Sequence, residues 1–433
     1  MQKVKFYTLG CKVNQYETQV IREQFLNSGF QEIDNHLPAD VYLINTCTVT
    51  QKADADSLHY IRRAKKENPQ AKIIVTGCLA ALDKDKIKKA DTMSLIVKNK
   101  DKEKILTHYY RTIEQKNKRT NPGISYFKGH TRAFLKIQDG CSNFCAYCKV
   151  PLVRGESRSK PLKVIVQEAE NLVRNGFREI VLCGICLGAF GKDLKPPRSL
   201  IDAIAALEKI EGLLRIRLSS IEAAEVTEEL IQKIATSSKL CAHLHIPIQS
   251  GDDEILKKMQ RRYTRDAYLG LIKRIKNQIP QIAITTDVLV GFLGETETNF
   301  EQTLDLVKKI MPLKVHIFPY SRREGTLAAQ NFSAELNPAI IKERILRLRT
   351  IAAACTQHYK KQFLNKTRDV LIEGRAKNNP GFWEGYTDNY LKVLVKSKQD
   401  LKNHLVEVKL NQIVKDALGA DYNCKKNVKS ARN

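Results

Sequence analysis

Apolar positions fall into three successive patterns along the chain. Over residues 1–97, short apolar runs at 4–9, 41–45 and 73–76 alternate with stretches at 14–28 and 54–66 whose apolar positions recur every three to four residues. Period two beside period 3.6, joined by short turns, predicts a parallel sheet flanked by helices. Residues 95–97 add a further short strand. Residues 98–130 are polar and basic and close on the turn-forming TNPG at 120–123, which predicts a connector. The middle region repeats one unit, with strands predicted at 132–138, 179–183, 214–219, 242–247, 283–290 and 314–318. Helices are predicted between them at 163–174, 200–209, 226–237, 265–277 and 299–311. Six strands with five intervening helices predict a partial (β/α)6 barrel over 131–362, closed by a helix at 338–361, with its active site at the carboxyl ends of the strands. From 363 to 433 the segments TRDVLIEG, GYTDNYLKVLVK and HLVEVKLNQIV alternate at period two, which predicts a small antiparallel β-barrel ending in a loose basic tail from Asn423. The fold class is therefore α/β, in three parts.

Composition adds a partner. Of 433 residues, 73 are Lys or Arg and 47 are Asp or Glu, a net charge of +26. The excess is patchy: ten basic against three acidic residues over 98–132, eight against one over 256–276, and fourteen against eight from Lys366 onward. Such a field captures polyanions, nucleic acid first and an anionic membrane second. An apolar fraction of 42% excludes wholesale disorder. No run approaches 18 apolar residues, and the start MQKVKFYTLGCKVNQ lacks the apolar core of a secretory signal, so the expected compartment is cytoplasmic. Eleven cysteines in a reducing compartment point to metal or redox work rather than a disulfide framework.

Six of those cysteines form two sets. Cys141, Cys145 and Cys148 lie in QDGCSNFCAYCKV, directly after a barrel strand and so on the catalytic rim. Thiolates favour zinc or iron–sulfur clusters. Three thiols with no local fourth ligand suit a four-iron cluster with one open iron; a zinc knuckle wants a fourth ligand that the segment does not supply. Cys11, Cys47 and Cys78 lie 36 and 31 residues apart, in YTLGCKVN, LINTCTVT and IVTGCLAA, each just beyond a predicted parallel strand. Strands sharing one sheet would gather these thiols at its carboxyl edge, where orphan N–H groups of the following helices favour thiolate or sulfide.

C-x3-C-x2-C, with Tyr147 before its last cysteine, is the signature of the radical S-adenosylmethionine enzymes. C-x2-N at Cys11, NTC ending at Cys47 and GC ending at Cys78, then that motif, then a basic β-domain, together resemble the methylthiotransferases over nearly the whole chain. The last part resembles a TRAM domain, a small RNA-binding barrel. TLGCKVNQYET, HLHIPIQSG, GYTDNY and FPYSRREGT look most like the branch acting on N6-threonylcarbamoyladenosine at position 37 of tRNA, beside the anticodon. The resemblance implies two [4Fe-4S] clusters and S-adenosyl-L-methionine. The cluster on Cys11, Cys47 and Cys78 would hold the sulfur to be transferred, which one S-adenosylmethionine methylates. A second would be cleaved reductively at Cys141, Cys145 and Cys148 to give a 5′-deoxyadenosyl radical that takes the hydrogen from C2 of adenine. The implied partners are the tRNA anticodon stem-loop and unidentified electron and sulfur donors, with a monomeric enzyme. Related readings are action on isopentenyladenosine-37 or on a ribosomal protein aspartate. A reading of another class is a zinc-stabilised RNA-binding module without chemistry.

Supporting residues follow from position. Tyr147, Glu222, Gln249 and Asp287 are candidates for contacting the cofactor at the rim, with Gly291 and Gly294 allowing a tight turn. His243 and His245 share one strand face, where one of them can be a packed barrel residue; no catalytic side chain is expected beyond the two clusters. The family more often has Pro where this chain has Leu293. Arg154, Arg322 and Arg323 are candidates for phosphate or cofactor carboxylate. Phe382, Trp383, Tyr386 and Tyr390, in a basic setting, are candidates for stacking on unpaired bases or for a β-core. Cys183 and Cys186 form an unexpected C-x2-C at the rim, with metal binding, a redox pair or packing all open. Cys241, Cys355 and Cys424 read as packing or surface residues.

Overall fold

The computed structural model describes residues 1–33, 37–112 and 123–422. The first unit is β1 (Lys3–Thr8), α1 (Lys12–Asn27), β2 (Gln31–Glu32), β3 (Val41–Thr46), α2 (Gln51–Glu67), β4 (Lys72–Gly77), α3 (Cys78–Leu82), α4 (Lys84–Ala90), β5 (Leu95–Ile96) and α5 (Ile105–Thr112). Its five strands form one parallel sheet in the order β2-β1-β3-β4-β5. All six residues of β3 are buried, as expected of a central parallel strand covered on both faces. The basic segment after residue 98 is not all connector. Ile105, Leu106, Tyr109 and Tyr110 of α5 are buried in the core with Val4, Phe25 and Phe30. The abundant lysines around this helix hid its apolar stripe. Residues 120–122 of the TNPG turn, and the tail from Asn423 with Cys424, lie outside the described residues.

The second unit runs β6 (Arg132–Lys136), β7 (Gln138–Asp139), α6 (Val150–Arg154), β8 (Arg158–Ser159), α7 (Leu162–Arg174), β9 (Glu179–Cys183), α8 (Leu200–Glu208), β10 (Arg215–Leu218), α9 (Glu228–Thr236), β11 (His243–His245), α10 (Asp253–Lys258), α11 (Arg265–Gln278), β12 (Ala283–Val290), α12 (Glu297–Ile310), β13 (Lys314–Pro319), α13 (Leu327–Asn331) and α14 (Pro338–Lys361). Two three-stranded parallel sheets, β10-β9-β6 and β11-β12-β13, are joined by bridges from Ile216 to Leu240 and from Ser220 to His245. Together they make an open six-stranded half-barrel. The apolar faces of α7, α8, α9, α11 and α12 pack on it in one continuous core.

The third unit is a closed barrel in the order β14-β15-β16-β18-β17, from β14 (Thr367–Arg375), β15 (Phe382–Thr387), β16 (Lys392–Lys396), β17 (Leu405–Val414) and β18 (Ala417–Asp421). It is antiparallel except where β16 pairs in parallel with β18, which departs from the wholly antiparallel barrel expected. The small barrel caps the amino end of the half-barrel. Arg215 donates to the carbonyls of Asp369 and Tyr386 at 2.7 and 2.8 Å, and Arg217 to those of Thr387 and Asp388 at 3.1 and 2.8 Å. No helix among the described residues is long and apolar enough to cross a membrane.

Candidate active site: two cysteine triplets beside one half-barrel

Cys11, Cys47 and Cys78 follow β1, β3 and β4, neighbours in one parallel sheet, so their thiols meet at its carboxyl edge. The approach is close. A Cβ on Gly10 would lie 2.8 Å from the Cys47 Sγ, and one on Gly77 would lie 2.3 Å from the Thr46 carbonyl oxygen. Both glycines also have positive φ, so only glycine lets these strand ends converge. Asn14 donates to the carbonyls of Leu9 and Thr46 at 2.7 and 3.0 Å, tying the ends of β1 and β3. Cys47 and Cys78 are buried and Cys11 is exposed. Burial pushes the Cys47 thiol up to about 11, with the Cys78 and Cys11 thiols adding to the effect. Burial also raises Cys78, while Arg154 and Lys102 oppose it.

Cys141, Cys145 and Cys148 sit on the loop after β7, and each sulfur accepts one N–H. Asn143 N donates to Cys141, Val150 N to Cys148 and Arg261 Nη1 to Cys145, each at 3.4 Å. Donors of this kind accompany cluster-bound cysteine sulfur. Among the described residues only His245, Asp287 and His316 bring three ligand atoms within 4.8 Å of one another. Neither cysteine triplet is drawn in to the spacing of a single zinc ion. A four-iron cluster, being larger, spreads its cysteine ligands further, and an all-thiol donor set of this kind is the chemistry it takes.

Cys186 is the fourth thiol of the rim. Its contact with Cys141, together with the Asn143 amide, pulls Cys141 down to about 7. Cys186 also lies 3.1 Å from Glu225 Oε1 and accepts from Asn143 Nδ2 at 3.4 Å. Its contacts are thus with Cys141, Asn143 and Glu225.

Two buried ionic ties hold the triplets in register. In the first, Glu17 of α1 accepts from Lys102, from Lys136 at 3.0 Å and from Arg154 at 2.9 Å. Arg154 continues to Asp139 at 2.8 Å and to Asn14 Oδ1 at 2.5 Å. In the second, Arg323 pairs with Asp54 and donates to Thr48 Oγ1 at 3.0 Å, one residue from Cys47.

Two families of known proteins match the chain. The profile described as uncharacterized protein family UPF0004 covers residues 3–98, and that of the radical SAM superfamily covers 135–307. The threonylcarbamoyladenosine tRNA methylthiotransferase MtaB of Bacillus subtilis (strain 168) is 38% identical over 95% of this chain and 94% of its own length. The chain belongs to the radical S-adenosylmethionine methylthiotransferases. The MtaB of Thermotoga maritima is 35% identical over 90% of this chain and 91% of its own. The tRNA-2-methylthio-N(6)-dimethylallyladenosine synthase of Carboxydothermus hydrogenoformans is 34% identical over 94% and 96%. In fold, the methylthiotransferase is similar to the radical S-adenosylmethionine methyltransferase TsrM of Kitasatospora setae, with a TM-score of 0.52 at 13% identity over 76% of this chain and 77% of that one. Membership in a family of enzymes excludes the zinc-stabilised module without chemistry.

Within this methylthiotransferase the remaining candidates separate. Glu222, beyond β10, pairs with Arg261, which also touches Cys145. Sequence reading missed Arg261 because it stands in a basic run that looks like a solvated face. Arg261→Met is expected to make the potential of a cluster at Cys145 more negative, since a hydrogen bond and a nearby cation favour the reduced form; a redox titration followed by electron paramagnetic resonance reads it. Tyr147 packs beside Phe292, their ring centroids 6.5 Å apart. Gln249 follows β11 with φ of 63° and bridges to Val288. His245 lies 3.2 Å from Asp287 and 2.9 Å from Thr285 Oγ1, beside His316. His243 is buried and held well below the usual histidine range by that burial and by Arg217.

The residues expected to meet RNA are placed by the structure as follows. Arg154 is buried in the first ionic tie, where its charge is spent on Glu17 and Asp139. Tyr386 and Tyr390 lie in the seam between half-barrel and small barrel. Arg132 covers both rings at 4.8 and 5.3 Å from their centroids, and Arg217 and His243 flank Tyr390 at 4.4 and 4.8 Å. Their faces are taken by guanidinium and imidazole, not offered to bases. Trp383 is buried under Arg375, and Phe382 is half-buried against Ala376 and Leu394. Arg322 instead lines a cavity of about 1530 Å³ outside the half-barrel, with Lys52, Lys342 and Arg349. Arg323 serves the second tie.

Proposed function

We propose that this enzyme attaches a methylthio group to C2 of N6-threonylcarbamoyladenosine in the anticodon loop of tRNA. The observation that carries the reading is the pair of cysteine triplets, locked by the Glu17–Arg154 tie to the rim of one half-barrel. When bound, two [4Fe-4S] clusters and S-adenosylmethionine supply the transferable sulfur, its methyl group and the radical that breaks an unactivated C–H bond. The chain's own part is position. Asn14 and Arg154 fix the separation of the triplets, Arg261 holds Glu222 at the rim, and the aromatic seam at Tyr390 closes the lumen against water from below. An adenine in an unpaired loop reaches such a lumen by extrusion, without melting a duplex. The groove of Lys52, Arg322, Lys342 and Arg349, with the basic run over 256–276, supplies the field for the RNA backbone. The working form is a cytoplasmic monomer that draws electrons and sulfur from other proteins.

The test is anaerobic reconstitution followed by assay on tRNA carrying threonylcarbamoyladenosine, dimethylallyladenosine or neither. About eight iron atoms per chain and a C2-methylthio product from the first substrate are expected. Product from the dimethylallyl substrate alone would overturn the substrate, and about four iron atoms would remove one cluster.

A further inference from the structure

We propose that Lys12 selects the substrate, its ammonium pairing inside the half-barrel with the free carboxylate of the amino-acid substituent on the target adenine. This rests on the proposed function and names the residue that would separate a threonylcarbamoyl substituent, which carries a carboxylate, from a dimethylallyl group, which carries none.

Lys12 is the first residue of the 16-residue helix α1, which has no acidic residue in its first turn. A cation there opposes the helix dipole, a cost of about 0.3–1 kcal/mol when nothing offsets it. A broken local rule without structural compensation marks a functional position. Lys12 is exposed, and no ion pair or hydrogen bond engages its side chain among the described residues. The acids nearest along the helix are committed elsewhere: Glu17 to Lys102, Lys136 and Arg154, and Glu23 to the amides of Ser125 and Tyr126.

Although exposed, Lys12 opens the helix that packs against the half-barrel. Its charge acts on Cys183 of β9, His243 of β11, His316 of β13 and Tyr390 of the small barrel. All four stand on the half-barrel or the seam beneath it, the side to which α1 is tied by Tyr16, donating to Glu168 at 2.5 Å, and by Glu17, accepting from Lys136 at 3.0 Å. The other cations felt there are mostly engaged: Arg132 with Glu373, Arg217 with Glu179 at 2.7 Å, Lys136 with Glu17 at 3.0 Å and Lys160 with Glu168 at 2.5 Å. Lys314 opens β13 and so lies at the amino edge, away from the cysteines. Burial holds His243 and His316 below the usual histidine range, so neither supplies a competing positive charge at neutral pH. Lys12 also directly follows Cys11, so an adenine whose C2 faces the first triplet would bring its substituent within reach of this side chain.

The test pairs a variant with a substrate change. Reconstituted wild type, Lys12→Met and Lys12→Arg are compared on an anticodon stem-loop bearing threonylcarbamoyladenosine and on the same RNA with the threonyl carboxylate methyl-esterified. Both binding and turnover are measured, with iron content checked for each protein. On the acid, Lys12→Met is expected to weaken binding and lower kcat/KM by about 10- to 100-fold, the worth of a charge-assisted hydrogen bond, and Lys12→Arg to recover most of the loss. Wild type should lose about as much on the ester, and the ester should no longer distinguish wild type from Lys12→Met. Unchanged affinity and turnover of Lys12→Met on the acid would overturn the inference while leaving the proposed function standing. Equal losses on acid and ester would overturn it too, because they would mean that Lys12 offsets the charge of the neighbouring cluster. Failure of the wild type to thiomethylate the acid at all would instead overturn the proposed function.

Discussion

Glu17→Gln is expected to lower the unfolding free energy by about 3–5 kcal/mol, the range for removing one partner of a buried charge cluster. Glu17 is the anion that Lys102, Lys136 and Arg154 share. Glutamine keeps the shape and some hydrogen bonds but leaves Lys136 and Arg154 with Asp139 alone and takes from Lys102 its anionic partner. Lys102, already pulled down by burial, loses the group that keeps it charged. The pH dependence separates this from a packing defect. Burial alone would raise the Glu17 carboxyl, yet the three cations hold it well below its ordinary value of 4.5. A depressed carboxyl contributes stability that is fully present above the unfolded value and is lost as pH falls through the folded one. Wild type should therefore lose this increment below about pH 4.5, and Glu17→Gln should show a flatter acid limb. Denaturant titrations at pH 7 and across the acid range measure both. Equal acid limbs would mean that the carboxylate is not ionised in the fold.

Cys11→Ala is expected to abolish thiomethylation while leaving reductive cleavage of S-adenosylmethionine. Cys11 belongs only to the first triplet, and its exposed thiol contributes little to the core. Iron should fall from about eight to about four atoms per chain, and 5′-deoxyadenosine should still form when a reductant is supplied. Loss of cleavage with the second cluster still assembled would contradict the division of labour between the triplets.

The elements that position the chemistry were legible because they rest on local pattern. β9 and β12 and helix α14 lie at the predicted limits, since the apolar IVLC of β9 and the β-branched and apolar AITT and VLV of β12 read as buried strand and a helix opening on Pro338 has a clear start. Cysteines placed after strand ends could be assigned to one sheet edge once the strands were recognised. What stayed hidden depends on residues far apart in the chain. The partners of Glu17 lie 85, 119 and 137 residues away, and no local signal announces them. Arg154 read as a phosphate contact because a charged residue in a short segment gives no sign that its counter-ions arrive from another unit. Tyr386 and Tyr390 read as base platforms for the same reason, their arginine partners standing on barrel strands more than 150 residues earlier.

The two ionic ties flank the triplet of Cys11, Cys47 and Cys78, one beside Cys11 and the other beside Cys47, and each crosses from the first sheet unit to the half-barrel. Grafting the front third of a homologue onto this barrel would import one half of each bond without its counterpart. Such hybrids should fail as catalysts even where both segments fold, unless positions 154 and 323 travel with the donor. The front unit and the barrel are thus a single heritable block, and their side chains at that boundary can change only in concert.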